Sequence, residues 1–191
     1  MRTDEELLAL FVAAFRELDD LFYVEKSPPP QGLPVEADLE VGSVLRWRPV
    51  EIVTAPAELS AIHSRIGSRL PQLYEELILQ YRWLQVDIGV CRLVPNEPSP
   101  DLHPLADAML EDPVLNQTLL PARFVRFALG PDESYDPICF DLNHWEPKTS
   151  DCPVVRIAHE PILMHDTLGQ IETMFSSFRE LVNAVIQSTQ Q

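Results

Sequence analysis

Five residues in the last third of the chain are of types that bind metals or attack carbonyls. They are Cys139, His144, Cys152, His159 and His165, with Asp141 and Asp166 beside them. Zinc accepts thiolate, imidazole and carboxylate ligands, but structural zinc sites draw them from tight pairs such as C-x2-C or H-x3-H. Here the members are separated by four, seven, six and five intervening residues, and no such pair occurs. No metal is expected. A cysteine nucleophile with a histidine base needs hydrogen-bond contact, which spacing does not supply, and no local catalytic signature surrounds any cysteine. Cys139 lies between Ile138 and Phe140, a setting in which cysteine acts as a small hydrophobe. The six glycines form neither a dinucleotide nor a phosphate loop. Thirty acids offer many carboxylate pairs without ranking them. The expectation is a protein that is not an enzyme and carries no cofactor, with a small hydrolase using the His, Cys and Asp group as the weakest alternative.

Charge is the more informative signal. In 191 residues there are 14 Lys and Arg against 30 Asp and Glu, a formal charge of −16. Nucleic acids and anionic membranes demand clustered cations, and this chain has no basic run. A basic protein is the partner such a surface would attract. Acids concentrate in residues 1–40 (ten, against three cations) and 131–151 (six, against one). Within the second stretch, Asp132, Glu133 and Asp136 sit between Gly130-Pro131 and Pro137, a turn that should point their carboxylates to solvent. These three form the candidate binding patch, and Asp4, Glu5, Asp19 and Asp20 form the second choice. Three cysteines are too few for a disulfide framework and read as reduced thiols. The N-terminus lacks a signal-like cleavage pattern, and no apolar run approaches ~18 residues. A soluble, cytoplasmic protein is expected.

The elements that would position these residues follow from periodicity. Leu7, Phe11, Phe15, Leu18 and Phe22 recur at helical spacing, and Thr3 with Glu6 makes a capping-box pattern at the start of that helix. Residues 31–40 read as loop, and Val44–Val53 as one strand. Further helices are expected over 56–66 and from Pro71 to about Tyr81, with a weaker one over 101–110. From Trp83 to Val94 apolar residues alternate with polar or small ones, which is strand periodicity. Strands are also expected over 123–129, 138–142 and 154–158. A wide apolar stripe from Ile171 to Ile186 predicts a closing helix over 169–186. The order suggests an α+β fold with a mostly antiparallel sheet flanked by helices and an N-terminal helical arm. Residues 1–50 would form that arm with its proline-rich connection, and 51–191 the main domain.

Four segments carry a family likeness. IGSRLPQLYEELILQY (66–81) resembles the opening of the SUKH superfamily, which contains the yeast cell-wall-assembly regulator and many bacterial immunity proteins. FVRFALGPDESYDPICFDL (124–142) is similar to that family's hairpin with an acidic turn. DCPVVRIAHE (151–160) is similar to its next strand, and SSFRELV (176–182) to the start of its terminal helix. The resemblance spans about residues 55–187. Where members usually carry an Asn-Gly-Gly turn, this chain has Tyr81-Arg82-Trp83-Leu84-Gln85. The resemblance implies an α+β fold, no catalytic residues, and protein binding, most often by a cytoplasmic immunity protein neutralising a cognate toxin. A nuclease toxin is a natural target because its substrate surface is basic. The alternative is a regulatory adaptor of the same fold, with the N-terminal helix serving a constitutive partner or a homodimer.

Overall fold

The computed structural model of the chain describes residues 2–18, 22–24, 35–36, 44–110, 112–131 and 134–190. The capping box forms: the Thr3 amide donates to Glu6 Oε2 at 2.9 Å, and the Glu6 amide to Thr3 Oγ1 at 3.2 Å. It opens α1 (Asp4–Leu18), which is followed by β1 (Phe22–Val24), β2 (Val35–Glu36) and β3 (Val44–Trp47). These three strands make a small antiparallel sheet with β3 in the middle. The single strand expected over 44–53 is broken between β3 and β4 (Val50–Glu51). Pro49 lies in the break and has no N–H to give a ladder.

Next come α2 (Leu59–Ile66), α3 (Gln72–Gln80) and β5 (Tyr81–Arg82), which pairs with β4. Arg82 is fully buried. Its guanidinium donates to the carbonyls of Ile78 (2.6 Å) and Tyr81 (3.0 Å) and to Thr54 Oγ1. Charged donors saturated by carbonyls make a strong local tie.

Residues 83–94 depart from the expected continuous strand. Gly89 takes φ 81°, open to glycine at little cost, and its amide is held by Asp87 Oδ1 at 2.7 Å. The segment folds back as a hairpin of β6 (Val86–Asp87) and β7 (Arg92–Leu93). Then follow α4 (His103–Leu110), α5 (Pro113–Leu119), β8 (Phe124–Leu129), β9 (Pro137–Asp141), β10 (Val154–Ile157), α6 (Glu160–His165), β11 (Ile171–Phe175) and α7 (Phe178–Ser188). The main sheet has six antiparallel strands in the order β11-β10-β9-β8-β7-β6. The fold is α+β with an N-terminal helix.

The closing helix is shorter than its apolar stripe predicts, because Ile171–Phe175 is β11. Ser176 and Ser177 stop any helix from reaching back. Ser177 Oγ accepts from the Glu180 amide at 3.0 Å, and the Glu180 carboxylate accepts from the Ser176 amide at 2.7 Å. That cap starts α7 at Phe178, within the segment that resembles the family's terminal-helix start. Helices α5 and α6 have only seven and six residues, too little length for the sequence to show a period.

Side chains alternate between the two faces of β9 and its neighbours. Val125, Phe140 and Val154 stand in register on one face and join Leu73, Tyr74, Leu77, Phe127 and Phe178 in the main core. Phe127 and Phe140 stack with centroids 4.1 Å apart, and Tyr74 and Phe178 meet them edge-on. Helix α1 is built into this core rather than projecting as an arm. Phe11 packs edge-on against Phe178 and Phe15 against Trp83, while Asp4 pairs with Arg179 at 2.8 Å. Leu7, Leu8, Phe11, Val12 and Phe15 of α1 are packed inside the chain. On the opposite face Cys139 stands between Arg126 and Val155 in a smaller cluster with Phe124, Ile157, Leu115, Leu119 and Ile162. Among the described residues no helix is long and apolar enough to cross a membrane.

Candidate functional site

Among the described residues, α5 and α6 pack on the second face of the sheet, and a cleft lies beside them. A register shift in β8 between Arg126 and Ala128 inserts one residue, so that Leu129 returns to the face Arg126 occupies. Arg126, Leu129, Leu115, Asp112, Leu163, His159 and Tyr135 then line a cleft of about 370 Å³. That volume lies within the usual range of small-ligand pockets.

Arg126 is the unusual member. Its side chain is 11% exposed, and burial pulls its pKa below the usual arginine range. Nη2 donates to the Ala108 carbonyl at 2.9 Å, whereas Nε is buried without a partner. Asp112 Oδ2 stands 3.8 Å from Nη1, too far for a hydrogen bond. The other Asp112 oxygen caps α5 by accepting from the Leu115 amide at 3.0 Å.

Asp136 holds His159 in place on the cleft wall. One oxygen accepts from the His159 amide (3.0 Å) and meets His159 Nδ1 (2.7 Å); the other accepts from Arg156 Nε (2.7 Å). Burial alone would raise this carboxyl's pKa, but the hydrogen bonds from His159 and Arg156 outweigh it and hold the value at about 2. The expectation of a solvent-facing Asp136 is therefore corrected: its side chain is 15% exposed and carries structural bonds. An acid at a strand start is drawn in by the arginine and histidine that β10 and α6 bring beside it, partners 20 and 23 residues away in sequence. Asp132 and Glu133 lie outside the described residues, as do Asp19 and Asp20 of the second choice.

The base of the acidic turn is pinned from several sides. The Gly130 amide donates to the Asp136 carbonyl at 2.8 Å. Arg92 reaches the carbonyls of Gly130 (3.2 Å) and Ser134 (2.8 Å). A β-carbon at Gly130 would come 2.7 Å from Ser134 Oγ, so any other residue would make Ser134 shift. Tyr135 projects from this base, 67% exposed, with its ring 6.3 Å from that of His159.

The metal-binding residue types do not converge. Among the described residues no three His, Cys, Asp or Glu side chains come together for a metal. Cys139 and Cys152 are buried, and burial pushes both thiols up, away from the reactive thiolate. His144 leans on Asp141 (2.6 Å), and Asp166 is the left-handed residue that ends α6. Asp151 is the polar residue sequence reasoning missed. Fully bonded, it accepts from the amides of Cys152, Phe178 and Arg179 at 2.8–3.2 Å, fastening α7 to the start of β10. Arg126 was missed as well; the only signal was a charged residue inside an apolar strand.

Compared with known proteins, the chain matches no family model, and no curated protein matches it.

Proposed function

We propose that this chain is a non-catalytic protein-binding module of SUKH type, and that it neutralises a basic toxin by covering its active surface. The observation that carries the reading is the pinned acidic turn beside the cleft. An exposed aromatic, Tyr135, projects from a base rigidified by Arg92, Arg156 and His159. Exposed aromatics set beside apolar pockets are the usual anchors of interfaces, and a pre-ordered loop loses less entropy on binding. Asp132 and Glu133 belong to the same turn in sequence, and the net charge of −16 would speed encounter with a cationic partner. The four ordered segments that resemble the superfamily give the partner class.

The test is genetic. In the native host, deleting this gene should be tolerated only when a neighbouring toxin gene is also deleted, and the single deletion should lose in contact competition with its parent. Free deletion, with no competitive defect, would remove the immunity reading and leave the adaptor.

A further inference from the structure

We propose that the cleft between α5, α6 and β8 binds a small carboxylic acid with an apolar body, such as a short aliphatic or arylacetic acid. This does not rest on the toxin reading. Arg126 lies in a row with Cys139 and Val155, in surroundings that give a cation little solvation. Among the described residues only Nη2 of its three nitrogens finds a hydrogen-bond partner; Nε is buried and unpartnered, and Nη1 stands 3.8 Å from Asp112. A guanidinium so poorly bonded calls for an anion within reach.

The nearby Asp112 limits that anion's charge. A monoanion can sit on the guanidinium edge, whereas a phosphate dianion would be repelled at short range. The planar fork of arginine suits a carboxylate. Leu115, Leu129 and Leu163 supply apolar walls for the rest of the molecule. At the mouth, His159 has Nδ1 committed to Asp136, leaving Nε2 available, and the Tyr135 hydroxyl has no partner among the described residues. The Tyr135 hydroxyl can donate to the second carboxylate oxygen.

The experiment is an amide-detected NMR titration of the full chain with phenylacetate and hexanoate, using hexanol as the uncharged control. Saturable shifts are expected at Leu115, Leu129, His159 and Leu163, with hexanol at least roughly tenfold weaker. Arg126→Met keeps the side chain's bulk and should abolish the shifts. If that variant does not fold, Leu163→Trp decides, because this half-exposed position can fill the cleft without disturbing the core. No saturable shift up to about 10 mM acid, equal affinity for hexanol, or unchanged binding by either folded variant would overturn the site. N-acetyl-leucine mimics a peptide C-terminus. Tighter binding of it than of both free acids would overturn the small-acid source and assign the cleft to a chain end.

Discussion

The two faces of the six-stranded sheet share one backbone and differ in almost everything else. On the first, three amphipathic helices of fifteen, nine and eleven residues close over stacked and edge-on aromatic rings, leaving no polar residue in the central row of Val125, Phe140 and Val154. On the second, the helices have only seven and six residues, and the row contains Arg126. Long helices bury a continuous stripe and exclude water, so the first face can only stabilise. Short helices cannot span the sheet, so beside them the second keeps a cleft lined by Arg126 and His159. Stability and recognition are divided by the alternation of side chains along the same strands.

The sharpest way to break this division is to remove a ring from the first face. Phe140→Ala or Phe178→Ala, both fully buried, should cost about 3–5 kcal/mol in chemical denaturation. A loss below about 1 kcal/mol would show that this face is not the stabilising one.

The next effect belongs to the acid cluster. Asp136→Asn should cost about 1–3 kcal/mol, because the bonds to Arg156 and His159 lose their charged acceptor. Since folding lowers this carboxyl from 3.8 to about 2, its contribution is complete above about pH 5 and fades as pH falls from about 4 to 2. The wild type should lose stability across that window, and the variant should show a flatter profile there in urea melts at stepped pH.

Smaller again is Leu163→Ala. With Leu163 53% exposed, the change in stability should stay within about 0.5 kcal/mol, although the cleft loses a wall. A cost near 2 kcal/mol would mean the second face also carries the fold. The smallest effect on folding is expected from Asp132→Lys with Glu133→Lys, which spares Asp136. Thermal melts should not move, while association with a basic partner should slow and lose part of its salt dependence.

Much of this arrangement was legible from residue order. Thr3 and Glu6 announced the first helix, and the opposed placement of Cys139 and Phe140 follows from strand alternation alone. What escaped did so for identifiable reasons. Ile171, Met174 and Phe175 continue the apolar stripe of α7, and only the Ser176–Glu180 cap, formed in three dimensions, separates strand from helix. Asp136 reads as one more turn acid because Arg156 and His159 are distant in sequence. The exposure of Arg126 to the cleft, with Nε and Nη1 lacking a close partner among the described residues, is something no spacing encodes.

The sequence by itself determined the α+β class, the antiparallel strands of the hairpin region, the acidic character and the main apolar core, since periodicity and composition are local properties of the chain. Tertiary structure alone decided which acids are structural and which face stays open. Whether a carboxylate is solvated or bonded depends on groups that folding brings within about 3 Å. Whether a sheet face is sealed depends on the lengths of helices packed against it. Both are properties of the assembled molecule, and the cleft exists because of them.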